Sequence, residues 1–265
     1  MINKIIILFK IARKIGSSDI IKIIDRTHKV PFLIKFFFNL VSLSFVKNQK
    51  TNNTNDLSST IQDLGTTFIK LGQFLATRPD IIGEELTKNL EKLQDKLPPF
   101  SKSLAEDIIR KELGVLTAKN IIEFSEPVAA ASIAQVHKAK INEANIIKDV
   151  AVKVLRPNIK EIFNSEIDAI MMLAYLIETF IPKTKRLKLI EVVFLFKEIT
   201  NHEMDLRFEA AAANEYLENT KNDLGFSVPK IYWNFTSESV LTLDWVDGIS
   251  IREKDKLIES GKSTS

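Results

Sequence analysis

The sequence contains no cysteine among its 265 residues. This absence excludes disulfide bonds, thiolate metal sites and cysteine nucleophiles, and it fits a reducing compartment. The three histidines, His28, His137 and His202, do not fall at the spacing of a metal-ligand set. We therefore predict that this chain alone holds no metal.

Long apolar runs are also scarce. Ile5–Phe9 is too short for the apolar core of a signal peptide, and no small-residue cleavage site follows it. The most apolar stretch, Val30–Val46, is interrupted by Lys35 and is shorter than the ~20 residues of a spanning helix. We interpret this stretch as a buried or interfacial helix.

Charge is distributed unevenly along the chain. Residues 1–50 hold ten Lys and Arg against two Asp, whereas residues 51–265 hold 27 basic against 32 acidic residues. A basic amphipathic front on an acidic body predicts an anionic partner, with a membrane surface first. A solvated basic helix that packs on the body is an equally good interpretation. No nucleic-acid partner is expected.

Helices are predicted in the first half of the chain. A polar linker over residues 47–59 precedes a helix over about 58–77, and a second helix covers about 82–95. Ser103–Glu106 has the pattern of a capping box that opens a third helix, which Gly114 closes.

Strands and longer helices follow from about residue 119. Their order, with three strands, two helices and two strands, is that of the small lobe of a protein kinase. We therefore predict an α+β fold, in which a five-stranded antiparallel sheet with helices follows a helical N-terminal extension. The predicted domains are 1–50, 51–118 and 119–265. The elements behind this prediction are Ile121–Phe124, Ile133–Ile141, Asp149–Leu155, helices 158–180 and 188–219, Val228–Trp233 and Val240–Trp245.

Lys153 is the first candidate functional residue. It lies in the strand-like phrase Val150–Val154, where Val152 and Val154 point to the opposite face of the sheet. A partly desolvated lysine requires a carboxylate or a phosphate as its partner. Glu209, in the helix that follows, is the natural carboxylate; an edge-strand lysine and a solvated acidic helix face are the alternatives.

Ala129, Ala130, Ala131 and Ser132 occupy the position of a phosphate-covering loop between two predicted strands. Kinases place glycines in this loop so that backbone amides can approach the phosphates. Alanines are stiffer and bulkier, so we expect this loop to hold a nucleotide differently.

Lys70 and Gln73 lie three residues apart on one helix face, and Gly72 between them allows close packing. They are predicted to lie over a nucleotide site, to pair with Glu203 or Asp205, or to form an ordinary surface pair. Glu203 and Asp205 point to nearly opposite sides of an ideal helix, so they serve different neighbours unless the helix is irregular there.

In order along the chain, these phrases resemble the UbiB family of atypical, protein-kinase-like proteins tied to ubiquinone biosynthesis. The resemblance rests on Lys70–Gln73, on Ala129–His137, on Val150–Pro157 and on the Glu-x-Asp pattern at Glu203 and Asp205. Leu243–Gly248 and the basic helical start also fit. Four separate motifs in the same order make the resemblance specific, and it spans essentially the whole chain.

The resemblance implies a protein that binds ATP or ADP and supports lipid-quinone synthesis, with restrained protein kinase activity. By analogy, Lys70 pairs with Glu203, Lys153 pairs with Glu209, and the backbone near Trp245 and Val246 holds the adenine. The implied partners are an anionic membrane and lipid-quinone biosynthetic proteins. The implied location is cytoplasmic, peripheral to the inner face of the membrane.

The family's catalytic-loop Asp and Asn and its metal-binding Asp-Phe-Gly do not follow the last predicted strand. From the sequence we therefore expect a truncated chain that is inactive alone, with no catalytic residue and with Mg²⁺ only where a large lobe is supplied. Two alternatives stay open. One is a non-catalytic module that docks on a membrane or partner, and the other is half of a split kinase-like ATPase completed by a separate chain.

Overall fold

The computed structural model describes residues 57–91, 93, 97–249, 251 and 253–261. The predicted basic front at 1–50 lies outside these residues. The described chain opens with helices, continues into a sheet interrupted by longer helices, and ends in a short helix. The helices are α1 Leu57–Leu64, α2 Thr66–Ala76, α3 Pro79–Ile82, α4 Glu84–Leu90, α5 Lys102–Leu113, α6 Val115–Ala118, α7 Ile159–Phe180, α8 Leu189–Glu203, α9 Leu206–Asn219 and α10 Lys254–Glu259.

Five strands form one antiparallel sheet, which confirms the predicted fold class. Its order is β1-β3-β4-β5, and β2 also pairs with β3. The β3–β4 turn is tight because Ala144 and Asn145 both adopt positive φ, as a two-residue hairpin requires. The strands are β1 Ile121–Ile122, β2 Pro127–Ala130, β3 Ala134–Glu143, β4 Ile146–Leu155 and β5 Val240–Asp244.

By its internal contacts the chain divides into two compact units. The first unit includes the residues up to Ser101, together with Ala129–Gln135 and Leu155–Asp205. The second unit comprises Lys102–Val128, Val136–Val154 and the residues from Leu206 onward. The predicted domain boundaries after residues 50 and 118 stay predictions.

The first unit has a helical core. Phe196 on α8 is 1% exposed, and its ring contacts Phe74 on α2 and Phe163 on α7 at centroid distances of 5.5 and 5.7 Å. Ala169 on α7 packs with residues of α1, α2 and α4 in a second apolar cluster. None of the described helices is both long and apolar enough to cross a bilayer.

The second unit is built on the sheet. Val150, Val152 and Val154 are fully buried on one face of β4, as the alternating pattern predicts. Leu241 on β5 lies opposite Lys153 in the antiparallel register and is 1% exposed. The start of α9 is fixed to the sheet side because the Leu206 N–H donates to the Glu238 carbonyl at 2.9 Å.

Two predicted helices are each interrupted. The helix expected over 58–77 breaks at Gly65, whose φ of 108° lies in a region that only glycine adopts readily. The helix expected over 188–219 breaks at Met204 and Asp205, between α8 and α9. Glu203 therefore ends α8 and Asp205 lies between the two helices, so the helix is irregular at the Glu-x-Asp pattern.

Other boundaries also differ from the predictions. The third helix starts at Lys102, so Ser103 lies inside its first turn and does not cap it. The predicted strand Val228–Trp233 is wrong apart from one bridge, between Ile231 and Leu243, and the chain turns into a 3-10 helix at Trp233–Phe235. Ala129 and Ala130 belong to strand β2 rather than to a loop.

Candidate functional site

Lys153 and Glu209 are brought together in the second unit. The Lys153 Nζ lies 2.7 Å from Oε2 and 3.0 Å from Oε1 of Glu209, which confirms this predicted pairing. The two side chains are 26% and 49% exposed, so the pair is open to solvent rather than enclosed. A lysine held in this way presents a fixed positive charge to an anionic ligand.

The geometry around the pair follows from the local sequence. Lys153 is on the face of β4 opposite its buried valines, and Glu209 lies in the first turn of α9, where the helix dipole favours a negative charge. Leu206 and Ala210 are the buried residues of α9, and α9 packs against β5.

The backbone after β5 is the predicted adenine-binding segment, also in the second unit. The Trp245 N–H is already used, because it donates to the Asp149 carbonyl at 3.1 Å. The Trp245 ring lies 4.7 Å from the Lys138 Nζ, and its Nε1 donates to Asp247 at 2.7 Å. Val246 is 62% exposed, so it is the accessible member of the predicted pair.

Asp244 precedes this segment and is held from two sides. It accepts hydrogen bonds from the Tyr232 hydroxyl and from the Lys230 N–H. Burial of the phenol, reinforced by the Asp244 hydrogen bond, raises the pKa of Tyr232 well above its usual range. Tyr232 therefore stays neutral and fixes the last residue of β5.

The second ion pair lies in the first unit. The Lys70 Nζ on α2 is 2.9 Å from Glu203 Oε2 at the end of α8, which confirms the predicted partner. Their side chains are 15% and 43% exposed, so this lysine is the better buried of the two paired lysines. Gly72 is buried, and a Cβ built there would collide with the terminal methyl of Leu93, so glycine allows this side chain to pack closely against α2.

Gln73 lies on α2 and is half-buried, and Asp205 follows the end of α8. The Asp205 N–H donates to the His202 carbonyl at 3.2 Å and closes the last turn of that helix. Their predicted regulatory roles, like those of Lys70, Gly72 and Glu203, stay predictions.

The alanine-rich segment also belongs to the first unit. Ala129 is exposed and Ala130 and Ala131 are half-buried, whereas Ser132 is fully buried. Ala129 is therefore the most accessible residue of the segment, and Ser132 is the least accessible. The Ala131 N–H donates to the Ala134 carbonyl at 2.8 Å, which closes the connection between β2 and β3.

Arg156 fixes this segment, a role that the sequence did not reveal. Its Nε and Nη2 donate to the Ala131 carbonyl at 3.1 and 2.8 Å, and Nη2 also reaches the Pro98 carbonyl at 3.0 Å. The Arg156 N–H donates to the Ile133 carbonyl at 2.8 Å. The planar guanidinium presents its donors in a rigid fork, a geometry that the single ammonium of a lysine does not reproduce.

Gln135 and Thr66 add further anchors within the first unit. The fully buried Gln135 amide pairs with both the N–H and the carbonyl of Phe100, at 2.9 and 3.1 Å. Thr66, four residues before Lys70, donates its hydroxyl to the Ser132 carbonyl at 3.4 Å. The helix that carries Lys70 is thus hydrogen-bonded to the alanine-rich segment.

Metal ligands do not cluster in the part of the chain that the structure describes: no group of three or more His, Asp or Glu side chains is placed to hold an ion. The predicted site residues instead form two sets. Lys153, Glu209, Trp245 and Val246 lie in the second unit, and the alanine-rich segment, Lys70 and Glu203 lie in the first.

The chain is similar to known proteins over most of its length. Residues 92–265 match the family model of the ABC1 atypical kinase-like domain. A protein of Marinobacter nauticus named probable protein kinase UbiB is 34% identical over 234 residues, which are 88% of this chain and 42% of that protein. The protein of the same name from Pseudomonas paraeruginosa is 36% identical over 198 residues, covering 74% and 37% of the two chains.

A solved structure is similar as well. The structure of the Rv3197–erythromycin complex from Mycobacterium tuberculosis superposes with a TM-score of 0.52 at 28% identity, covering 75% of this chain and 49% of that chain. The chain spans less than half the length of the curated relatives that it matches.

Proposed function

The chain belongs to the family of the ABC1 atypical kinase-like domain, and from this premise we propose that it binds an adenine nucleotide, ATP or ADP. The observation that carries the proposal is the Lys153–Glu209 pair, with Nζ 2.7 Å from the carboxylate. In kinase-like folds this strand lysine, fixed by a helix glutamate, contacts the nucleotide phosphates.

The residues of the second unit fit such a ligand. Lys153 is partly exposed and oriented, so its ammonium can exchange one carboxylate contact for a phosphate oxygen without leaving its strand. The backbone at Val246 is exposed beyond β5 and can hydrogen-bond an adenine edge. The assignment of Ala129, Ala130, Ala131 and Ser132 to the phosphates stays a prediction.

The alanine-rich segment is held by hydrogen bonds within the first unit. One of its amides, that of Ala131, already donates within the β2–β3 connection, and Arg156 holds the Ala131 carbonyl. A segment fixed in this way cannot wrap phosphates as a glycine-rich loop does. We therefore expect modest nucleotide affinity.

Calorimetric titration with ATP and ADP, each with and without Mg²⁺, tests the proposal. We expect saturable heat for the native chain and at least a tenfold weaker Kd for Lys153→Ala, because a charge-assisted contact contributes about 1.5–3 kcal/mol. Lys140→Ala is the matched control, since Lys140 is on the neighbouring strand β3 and pairs with Glu123 at 2.6 Å. No heat with the native chain would refute nucleotide binding and favour a docking module.

We also propose that nucleotide binding serves ubiquinone biosynthesis, as the names of the relatives suggest. Replacing Lys153 by alanine in the native gene should lower cellular ubiquinone measured by chromatography, whereas the Lys140→Ala replacement should not. An unchanged quinone content in a strain whose protein has lost nucleotide binding would separate the two proposals and reject this one.

A further inference from the structure

We propose that the end of the α7–α8 hairpin docks on an anionic lipid surface. The two helices pack against each other in the first unit and are joined by the short 3-10 turn Pro182–Leu187. We call residues 175–195 the hairpin end. This proposal goes beyond nucleotide binding and does not depend on it.

Apolar side chains are concentrated on the hairpin end. The large apolar side chains exposed there belong to the last turns of α7 and the first turns of α8. At 1.5 Å per residue they all lie within about 10 Å of the turn, which is the depth that an interfacial element reaches into a bilayer. They are Tyr175, Leu176, Phe180, Phe194 and Leu195, exposed by 61, 41, 75, 58 and 44%.

Basic residues are concentrated in the turn of the hairpin end. Residues 182–188 contain four Lys and Arg and no acid, whereas residues 51–265 as a whole carry more acidic than basic residues. The basic turn therefore stands out from an acidic body. Each cation near an anionic membrane surface contributes to attraction within about a Debye length.

A cleft of about 390 Å³ lies beside the turn and is suited to a lipid phosphate. Arg78, Arg186 and Lys188 line it. Asp80 pairs with Arg78 at 2.7 Å, and Glu191 pairs with Lys188 at 3.0 Å. Within the described part of the chain, no carboxylate lies within ion-pair distance of Arg186, so its guanidinium is available to an anion.

A bilayer is the occupant that this combination fits best. The core of a protein interface is depleted in lysine, but at a lipid interface long cationic side chains extend to the headgroups while aromatic rings enter the acyl boundary. The chain's own residues 1–50 are an unsuitable cover, because their ten Lys and Arg against two Asp would repel the basic turn.

The absence of cysteine allows a site-specific test. A single cysteine at Phe180→Cys, labelled with an environment-sensitive fluorophore, should show a blue shift and brighter emission with vesicles of phosphatidylcholine and phosphatidylglycerol. Leu116→Cys is the matched control, since Leu116 is 82% exposed and lies on α6 in the second unit. Its label should not change. Circular dichroism confirms that both labelled chains are folded.

Charge variants test the electrostatic part. Lys185→Gln with Arg186→Gln should lower vesicle partition roughly 10- to 30-fold, given the usual contribution of each cation. Lys119→Gln with Lys221→Gln removes the same net charge from exposed positions of the second unit and should lower partition by less than about threefold.

An acidic side chain of the hairpin end tests the opposite sign. Glu191 is 69% exposed and pairs with Lys188, so Glu191→Gln removes a negative charge and releases the lysine ammonium. This variant should strengthen partition severalfold. The matched control is Glu218→Gln, because Glu218 is 65% exposed on α9 in the second unit and pairs with Lys221 in the same i, i+3 geometry. Equal strengthening in the two variants would contradict docking through the hairpin end.

Three further results would overturn the proposal. The first is sedimentation with anionic vesicles while the label at position 180 stays in water, which would assign binding to residues 1–50. The second is an equal response to pure phosphatidylcholine, which would remove the role of charge. The third is equal loss of partition in the two double-glutamine variants. Nucleotide titration of the same chains gives a separate result, so failure here leaves the proposed function intact.

Discussion

The two lysine–glutamate ion pairs have the same side-chain chemistry, but their lysines lie on different secondary-structure elements. Lys70 lies on a helix and Lys153 on a strand, yet each holds its glutamate at 2.7–2.9 Å. Lys70 is the less exposed lysine, at 15% against 26%. The first pair therefore depends on helix packing, and the second depends on the register of the sheet.

The two glutamates differ more than their spacing suggests. Glu203 and Glu209 are six residues apart, but the chain breaks between them and the boundary between the units follows Asp205. Glu203 ends α8, where the helix dipole disfavours an acid, and Glu209 lies in the first turn of α9, where the dipole favours one. Lys70 therefore compensates an acid that the dipole of α8 disfavours, whereas Lys153 pairs with an acid that the dipole of α9 already stabilises.

The largest expected effects come from removing one buried apolar side chain in each of the two units. Phe196→Ala should cost about 3–5 kcal/mol, because this buried ring contacts two others in the first unit. Leu241→Ala, which changes the buried cross-strand neighbour of Lys153 in the second unit, should cost about 2–5 kcal/mol. Urea unfolding measures both changes.

Hydrogen exchange then locates each change. We expect Phe196→Ala to lower protection mainly in α2, α7 and α8, and Leu241→Ala to lower it mainly in β4 and β5. If each variant lowers protection evenly in both units, the two pairs rest on one cooperative core and the contrast between them is lost.

Much of this arrangement could be predicted from the sequence. The alternation of Val150, Val152 and Val154 fixed the face of Lys153, and the family resemblance named both glutamate partners. The break at Met204 could not be predicted, since no proline or glycine marks it. It accompanies the long-range hydrogen bond from Leu206 to Glu238, which depends on the folded sheet.

Local sequence did not indicate how the alanine-rich segment is anchored. The partners of Arg156 are carbonyl oxygens at Pro98 and Ala131, which any residue type could supply. Strand β2 was missed because Ala129 and Ala130 have low strand propensity and gain their pairing from β3. Backbone partners of this kind leave no pattern in residue identity.

Arg156→Ala should give the next largest effect, about 1–3 kcal/mol, because the half-buried Ala131 carbonyl and the exposed Pro98 carbonyl lose a charged donor. Exchange at residues 131–135 should accelerate in this variant, within the first unit. Arg156→Lys keeps the charge but not the planar fork, so we expect it to restore less than half of the loss. Full restoration by lysine would show that charge alone suffices.

The pH dependence of the free energy of unfolding should report on His137, a buried residue of the second unit. Burial lowers the pKa of His137 below its ordinary value near 6.5, although the Nδ1–H donated to the Ser125 carbonyl opposes the shift. Below pH 6.5 the unfolded chain binds the proton more strongly, so the free energy of unfolding should fall as the pH drops. The slope is at most about 1.4 kcal/mol per pH unit for one proton.

Urea titrations between pH 7.5 and 5 measure this slope. His137→Gln should flatten the curve, while His202→Gln, which changes an exposed residue of the first unit, should leave it unchanged. A curve that stays equally steep in His137→Gln would assign the acid sensitivity to other groups.

The smallest effects, and the most direct test of the contrast, come from double-mutant cycles on the two pairs. Partly exposed ion pairs contribute about 0.2–1 kcal/mol, so both coupling free energies should lie in this range.

Once the lysine of each pair has been replaced, removing the glutamate charge should change stability with opposite signs at the two sites. With Lys70 replaced by Met, Glu203→Gln should stabilise the chain by a few tenths of a kcal/mol, because an uncompensated acid is removed from a helix C-terminus. With Lys153 replaced by Met, Glu209→Gln should still destabilise it, because a favourable first-turn charge is lost. Urea unfolding at low salt measures the native chain and the six variants, and the same sign at both sites would show that the helix dipole does not distinguish the pairs.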